Sequence, residues 1–436
     1  MPGTVAGLAH AHARYGSGRF TLAALIAPAI RLAREGVAVD NDLADSLPRA
    51  RERLARWPSS ARIFLRADGN VLSRGDTLRQ HDLATTLGRI AAEGPQGFYA
   101  GVTAERIAAA VQGAGGIMTV QDLADYRVVE RTPVRGTYRG YDVVSMPPPS
   151  SGGAHLIQIL NILEGFPLAE TGAGSAATLH PMIEAMKLAY ADRAAYLGDP
   201  DFVHVPLAGL VSKPYAERLR ATIDPAHARP AKEIRPGRPP GTEGENTTHY
   251  SVVDSAGNAV SNTYTLNFSY GTGLVAEGTG VLLNNEMDDF AAKRDVPNAY
   301  GLVGGDANAP GPRKRPLSSM SPTILLKDGR VALVTGSPGG SRIITTVLQV
   351  ILNVVDHGMN IAEAVTAPRL HHQWLPDIVM AERGFSPDTI RLLQARGHTV
   401  RVGATSGSAN SILAPPWGGW TGATDTRQRG TLAAGH

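Results

Sequence analysis

The stretch ENTTHYSVVD, residues 245–254, joins two unlike kinds of sequence. Residues 235–244 before it read RPGRPPGTEG, a run of proline, glycine and charge that is typical of an exposed linker. The residues after it alternate and include β-branched side chains, which predicts a buried strand. Thr247 and Thr248 stand at the junction between the two. These threonines are therefore the first candidates for chemistry.

The hydroxyl of Thr247 is a weak nucleophile and needs a nearby base. A cut between Asn246 and Thr247 would free the α-amine of Thr247, and that amine would serve as the base. The hydroxyl itself would make the cut by attacking the Asn246 carbonyl, after which water would hydrolyse the ester. The alternative interpretation is that Thr247 is an ordinary strand residue, because threonine is common in strands.

A second strand is predicted at residues 259–270, AVSNTYTLNFSY, paired with the first around a turn at Ala256-Gly257. In this register position 247 lies opposite about position 266. Thr265 and Asn267 would then flank Thr247 diagonally on the polar face of the hairpin.

The whole chain has the composition of a globular protein. Its 436 residues are 43% hydrophobic and 19% charged, which predicts two lobes or one large layered domain. The net charge of +3 comes from well-mixed basic and acidic residues, so nothing indicates binding of nucleic acid. The absence of cysteine excludes disulfides, thiolate nucleophiles and Cys-ligated zinc. The sequence contains no run of 18 apolar residues, so no membrane span is predicted.

The order of predicted elements indicates the architecture. Apolar spacing predicts helices at 21–36, 82–94, 155–166, 177–200, 345–358 and 387–398, among others. Strands are predicted mainly beyond residue 249, including the stretch PTILLKDGRVALVTG. Helices, then strands, then helices predict layers of helix around an antiparallel sheet.

A glycine-rich loop follows one of these strands in VALVTGSPGGSR, residues 331–342. Acyl transfer requires backbone N–H groups that point at the developing oxyanion. Gly339 and Gly340 allow that close approach because they have no side chain. A phosphate-binding loop is the rival interpretation, although neither GK[ST] nor GxGxxG is present, and an ordinary turn is the third.

Two further loops carry groups suited to recognition. Glu286, Asp288 and Asp289 in NNEMDDF would hold an ammonium group, and Ser318 and Ser319 in KRPLSSMSPT would donate to a carboxylate. Either loop is also compatible with a solvated turn. The histidines of HHQW (371–374) and HAHA (10–13) lack the spacing of a known metal site, so the sequence predicts no metal.

Together these motifs resemble the γ-glutamyltransferases, or glutathione hydrolases. The resemblance rests on TTHYSVVD, TYTLNFSYGTG, LLNNEMDDF, YGLVGGDANAPGPRKRPLSSMSPT and TGSPGGSRIITTVLQ, and upstream on PGTVAG, MPPPSSGG and YADRAAYLGDPDFV. It implies an α+β fold, a four-layer αββα sandwich of the N-terminal-nucleophile (Ntn) hydrolase type. It also implies autocleavage between Asn246 and Thr247 into a large subunit, residues 1–246, and a small subunit, residues 247–436.

The resemblance also assigns roles to single residues. Thr247 matches the nucleophile, Thr265 matches the residue that supports it, and Gly339 and Gly340 match the oxyanion hole. The substrate-binding positions are matched by Asn267, Glu286 and Asp289 at the α-amino end of the γ-glutamyl group, by Ser318 and Ser319 at its α-carboxylate end, and by Tyr300 in a lid over 294–305. No cofactor is implied. The implied partners are glutathione and other γ-glutamyl donors, with water, amino acids or dipeptides as acceptors.

One difference from the family pattern lies at the start of the chain. Family members carry a longer segment before PGTVAG, with a signal peptide and an arginine that pairs with the substrate carboxylate, so we expect an N-terminal truncation here. The family is periplasmic or secreted, whereas this sequence shows no signal peptide, which leaves the cytoplasm open. An acylase for glutaryl or β-lactam side chains and a non-catalytic remnant are the alternative functions.

Overall fold

The structure, a computed structural model, describes residues 2–237, 249–293, 296–403 and 407–435. Asn246, Thr247 and Thr248 lie outside the described residues, and so does position 294 at the start of the expected lid. The chain divides into two compact units, described separately below. The first comprises Met1–Glu130 and Leu266–Glu286, and the second comprises Arg131–Thr265 and Met287–His436.

The helices are α1 (Thr4–Tyr15), α2 (Leu22–Glu35), α3 (Asn41–Ala55), α4 (Pro58–Phe64), α5 (His81–Glu93), α6 (Gln96–Tyr99), α7 (Gly101–Gly113), α8 (Val120–Ala124), α9 (Gly152–Leu163), α10 (Leu168–Thr171), α11 (Ala176–Tyr196), α12 (Leu207–Leu210), α13 (Lys213–Arg220), α14 (Ile343–Val355), α15 (Ile361–Thr366) and α16 (Pro387–Ala395). The helices predicted at 21–36, 82–94, 155–166, 177–200, 345–358 and 387–398 are confirmed, with ends that differ by a few residues. None of the helices in the described ranges is long and apolar enough to cross a membrane.

The strands are β1 (Val37–Ala38), β2 (Thr77–Leu78), β3 (Val134–Tyr138), β4 (Tyr141–Ser145), β5 (His249–Val253), β6 (Ala259–Thr263), β7 (Val275–Ala276), β8 (Val281–Leu282), β9 (Thr323–Lys327), β10 (Arg330–Thr335), β11 (Leu370–His371), β12 (Val379–Glu382), β13 (Val400–Gly403), β14 (Asn410–Leu413) and β15 (Thr421–Thr424).

The first unit is mainly helical. Its helices α2 and α8 begin where the sequence offers caps, since the hydroxyl of Thr21 accepts from Ala24 N and Thr119 forms a capping box with Asp122. Two separate apolar clusters form its core, one around Leu47 and Leu54, the other around residues of α5 to α8.

The second unit is built around a six-stranded antiparallel sheet of order β15-β14-β10-β9-β4-β3. Helix α9 packs on β3 and β4, and α11 and α14 pack on α9. Every residue of α9 is buried, as is α14 from Ile343 to Leu352, which explains why their sequences are apolar almost all round. The predicted antiparallel sheet and α+β class are confirmed.

The hairpin of β5 and β6 differs from the sequence prediction in three respects. Strand β6 ends at Thr263 instead of 270, and the register is shifted by one residue, because His249 pairs with Thr263 and not with Tyr264. The apolar side chains Tyr250 and Val252 are exposed, while the polar side chains of the hairpin face β10 and β14. The prediction of a buried apolar strand is therefore wrong for this face.

A five-residue loop explains the shifted register. The carboxylate of Asp254 accepts hydrogen bonds from the N–H groups of Ala256 and Asn258, and Asp254 N donates to Asn258 O. Gly257 takes a φ of 83°, which favours glycine. The loop is thus centred on Ala256 and not between Ala256 and Gly257, and this moves the pairing by one position.

Candidate active site

The predicted site residues are divided between the two units. The second unit contains Thr265, Asp289, Tyr300, Ser318, Ser319, Gly339 and Gly340, and the first contains Asn267 and Glu286. Thr247 and Asn246 lie outside the described residues. Thr265 is partly buried just beyond the end of β6.

The glycine-rich loop connects β10 to α14 through Gly336–Gly340, which we call the glycine turn. Gly339 has φ 138° and Gly340 has φ 57°, and residues with a side chain rarely adopt either backbone conformation. A 3-10 turn at Gly340–Arg342 then leads into α14. The predicted sequence of strand, glycine loop and helix is confirmed, and a turn of this kind can present backbone N–H groups to a substrate.

The ring of Tyr300 lies directly on the glycine turn. A methyl group on Gly340 would come within 2.5 Å of this ring, so glycine is required for the contact. The backbone of Tyr300 is fixed on both sides, because its N–H donates to Asn298 Oδ1 at 3.0 Å and its carbonyl accepts from Gln373 Nε2 at 3.1 Å. The predicted lid aromatic and the predicted oxyanion loop are therefore neighbours.

The loop with Ser318 and Ser319 is buried and rests on the MPPPSSGG segment. The carbonyl of Ser318 accepts from Ser151 N at 2.9 Å and from the hydroxyls of Ser150 and Ser151, while Ser318 N donates to Pro149 O. A methyl group on Gly152 would lie 1.9 Å from Met320 O. The sequence identified MPPPSSGG as a loop but did not reveal that it supports the two serines.

Asp289 lies beside a cavity of about 190 Å³ that is also lined by Arg193, Asp288 and the described part of the expected lid. Asp289 is buried, and its carbonyl accepts from Asn308 Nδ2 at 2.7 Å. In this unit the lid segment and one of the predicted ammonium-binding carboxylates thus line the same cavity.

In the first unit Asn267 and Glu286 lie close together. Asn267 Nδ2 donates to the carbonyl of Asn285 at 3.1 Å, and Asn285 Oδ1 accepts from Phe268 N at 2.9 Å. Asn267 is left-handed with φ 66°, a conformation that asparagine tolerates, and it ends the extended run. The resemblance groups these two residues with Asp289 at the α-amino end of the substrate, and this grouping stays a prediction.

His249, two residues after Thr247, is an important residue that the sequence prediction missed. Its ring is buried against the glycine turn, since a methyl group on Gly336 would lie 2.3 Å from Nδ1. Ser251 Oγ donates to Asn410 O at 3.0 Å, so it accepts from His249 Nε2–H at 2.9 Å, and His249 Nδ1 accepts from the Thr263 hydroxyl at 2.9 Å. This chain of hydrogen bonds fixes a neutral tautomer.

The pKa of His249 agrees with that assignment. Burial disfavours the imidazolium and lowers the pKa of His249 to about 3. The histidine therefore ties the start of β5 to the glycine turn as a neutral group and does not exchange protons near neutral pH.

A buried cluster of His180, Glu184 and His398 has the residue types of a metal site. Both ring nitrogens of His180 are already hydrogen-bonded, because His180 Nδ1 and His398 Nε2 are 2.8 Å apart and His180 Nε2 donates to the carbonyl of Asp224 at 2.7 Å. Lys187 Nζ also lies 2.8 Å from Glu184 Oε1, so the charge of this carboxylate is balanced by a lysine. We assign no metal to this cluster. In HHQW, the nitrogens of His371 are hydrogen-bonded to Thr345 and Gln373.

Gly152→Ala should displace the loop of Ser318 and Ser319, because the new methyl would overlap with the carbonyl of Met320. We expect the free energy of unfolding to fall by about 1–3 kcal/mol, the usual cost of overpacking a buried site. Chemical denaturation measures this change. Gly311→Ala is the matched control, since its methyl would meet only Lys314 at an ordinary 3.8 Å. An unchanged stability of Gly152→Ala contradicts the close packing of MPPPSSGG against the serine loop.

His249 should make the protein less stable in acid. Its folded pKa lies below the unfolded value of 6.5, so its contribution is complete above pH 6.5 and is lost as pH falls toward about 3. In this window one buried histidine adds a slope of about 1.4 kcal/mol per pH unit. Chemical denaturation between pH 6 and 4 should show that His249→Asn flattens this dependence, whereas the exposed control His227→Asn does not. Equal slopes in both variants refute the assignment.

Comparison with known proteins agrees with the geometry. A model of the Gamma-glutamyltranspeptidase family matches residues 1–435. The chain is 56% identical to the glutathione hydrolase proenzyme of Escherichia coli (strain K12), covering 100% of this chain and 75% of that protein. It is 48% identical to the glutathione hydrolase proenzyme of Pseudomonas sp. (strain A14), covering 100% and 77%.

Among solved structures, the cephalosporin acylase from Bacillus halodurans matches with a TM-score of 0.88 and 31% identity, over 100% of this chain and 78% of that one. The likeness extends along the whole chain and confirms the Ntn-hydrolase fold. The family match, the two glutathione hydrolase relatives and the fold agree, and this chain belongs to the gamma-glutamyltranspeptidase family.

Proposed function

We propose that this protein transfers the γ-glutamyl group of glutathione and related γ-glutamyl amides to water or to an amino acid or dipeptide. The observation that carries the proposal is the glycine turn, with two glycines in side-chain-excluding conformations, placed beside the strand that begins two residues after Thr247. An oxyanion-binding loop beside a potential N-terminal threonine is the arrangement that acyl transfer by an Ntn hydrolase needs.

The first step of the proposal is maturation. The hydroxyl of Thr247 attacks the carbonyl of Asn246, the acyl group moves from nitrogen to oxygen, and water hydrolyses the ester. This releases a large subunit, residues 1–246, and a small subunit, residues 247–436, which stay together as a heterodimer. The new α-amine of Thr247 is then the base for its own hydroxyl.

In the reaction itself, the α-amine takes the proton of the Thr247 hydroxyl as the oxygen attacks the γ-carbonyl of the donor. The N–H groups of Gly339 and Gly340 stabilise the oxyanion, and the proton passes to the leaving amine when the amide C–N bond breaks. The resulting γ-glutamyl ester of Thr247 is attacked by water or by an acceptor amine, which restores the free hydroxyl. Thr265 supports the threonine oxygen.

Recognition of the donor depends on its charged α-carbon end. We assign the α-ammonium to Asn267, Glu286 and Asp289, and the α-carboxylate to the hydroxyls of Ser318 and Ser319. Tyr300 acts as the lid aromatic that excludes water from the oxyanion hole. Following the family resemblance, we propose a periplasmic or secreted location.

Thr247→Ala should abolish both maturation and turnover, because the hydroxyl makes the cut and carries the acyl group. We expect a single band in denaturing electrophoresis and at least about a thousandfold loss of anilide hydrolysis. The matched control is Thr248→Ala, which should still yield a chain whose N-terminal residue is Thr247. A wild-type protein that remains one intact chain contradicts the maturation step.

A second candidate function is that of an acylase, because the cephalosporin acylase from Bacillus halodurans shares the fold. The two candidates differ in one substrate group, since a glutaryl side chain lacks the α-ammonium. Glu286 and Asp289 are buried carboxylates, and a carboxylate attracts the α-ammonium that the γ-glutamyl group carries and the glutaryl group lacks, so we favour the γ-glutamyl substrate.

Turnover of γ-glutamyl p-nitroanilide and glutaryl p-nitroanilide should separate the two functions. We expect kcat/KM to favour the γ-glutamyl compound by at least about a hundredfold, or ~2.7 kcal/mol, which is the scale of one charge-assisted contact. Asp289→Asn should reduce this preference by acting on the γ-glutamyl compound alone. A preference for the glutaryl compound selects the acylase.

A further inference from the structure

Residues 407–410, which we call the buttress segment, lie behind the glycine turn in the second unit. A methyl group on Gly339 would lie 3.2 Å from the Cα of Gly407, so the two backbones are in direct contact. Neither the sequence motifs nor the proposed reaction gives this segment a role.

Gly407 has no room for a side chain. Its φ is 67°, and a methyl group there would lie 2.6 Å from Ser337 Oγ and 2.7 Å from Thr346 Oγ1. Ser337 belongs to the glycine turn and Thr346 to α14, and both are fully buried. A larger residue at 407 therefore has to displace either the turn or the helix that follows it.

Hydrogen bonds join the buttress segment to the first part of the turn. Ser408 N donates to Ser337 Oγ at 2.9 Å, and that hydroxyl donates onward to Pro338 O at 2.6 Å. Asn410 N donates to the carbonyl of Gly336 at 3.2 Å. The backbone of the segment thus fixes the three residues that precede Gly339.

A buried ion cluster holds the segment in place. Ala409 N donates to Asp425 Oδ2 at 2.9 Å, and the carboxylate of Asp425 pairs with Arg369 at 2.6 Å and with Arg427 at 2.9 Å. Asp425 is fully buried, and its two arginines are themselves bound to Glu382 or to backbone carbonyls. Fully paired buried charges hold a fixed geometry, because separating them is costly.

We propose that the buttress segment is a positioning device for the oxyanion hole, in which Gly407 and the N–H of Ser408 set the direction of the Gly339 and Gly340 N–H groups. The inference rests on the proposed acyl-transfer function. A turn with several glycines has more conformational freedom than any other backbone, whereas an oxyanion hole needs donors that are fixed before the reaction. The contacts of the buttress segment remove that freedom.

Gly407→Ala tests the proposal in the full-length matured enzyme. We expect kcat/KM for γ-glutamyl p-nitroanilide to fall between about tenfold and a hundredfold, less than the loss of a whole oxyanion donor. The competitive inhibition constant of L-glutamate should change less than twofold, because the ground-state contacts are not in the turn. A general structural defect would instead lower kcat/KM and also weaken the binding of L-glutamate.

Two control variants match the test closely. Gly403→Ala, at the end of β13, adds a methyl into open space without a left-handed φ. Ser408→Ala removes a buried hydroxyl that makes no hydrogen bond within the described part of the chain, while it keeps the backbone N–H that binds Ser337. Both variants should keep wild-type kcat/KM within about twofold.

Ser337→Ala provides the second route, in case Gly407→Ala does not fold. It removes the acceptor of Ser408 N without adding volume, and the same fall in kcat/KM with unchanged glutamate inhibition is expected. Wild-type kcat/KM in a folded Gly407→Ala or Ser337→Ala variant overturns the positioning role alone. A wild-type enzyme that hydrolyses no γ-glutamyl anilide overturns the proposed function and the positioning role with it.

Discussion

The structure around the glycine turn depends on one constraint: its glycines are packed so closely by their neighbours that no side chain would fit on them. The ring of His249 lies on its first glycine, the ring of Tyr300 on its last, and the backbone of Gly407 on the one between. These three neighbours come from a hairpin, a lid segment and the segment that precedes β14, which are distant in sequence. A turn enclosed in this way has a single conformation although its residues are the most flexible of all, so its flexibility in the unfolded chain is lost on folding.

The polar interior around this turn follows from the same constraint. The backbone of a turn that lies outside the sheet cannot be paired within the sheet, so its neighbours have to be held by other polar groups. The neutral chain through His249, Ser251 and Asn410 does this on one side, and the charges around Asp425 do it on the other. This explains why the inner face of the β5–β6 hairpin is polar and its outer face apolar, the reverse of an ordinary half-buried strand.

Local signals in the sequence predicted the elements but not the contacts between them. The strand, glycine loop and helix over 331–355 were predictable, because each element has a local pattern. The strand alternates with period two, the loop has paired glycines, and the helix is a continuous apolar run. The end of β6 at Thr263 was not, because strand propensity continues past it while Asn267 turns left-handed. The roles of His249 and Gly407 depend on long-range packing. The sequence around His249 does not show that this histidine is buried, and nothing in the sequence around Gly407 indicates a role for that glycine.

The six-stranded sheet decides what a cut before Thr247 would do to the molecule. Strands β3 and β4 precede the cut, whereas β9, β10, β14 and β15 follow it, and β4 pairs with β9 from Asp142–Leu326 to Ser145–Thr323. Helices α9 and α11 before the cut share one apolar core with α14 after it. Such a cut would therefore divide each of the two units, since Leu266–Glu286 of the first unit also follows Thr247. Backbone hydrogen bonds between β4 and β9 and the shared apolar core would hold the two products together after such a cut.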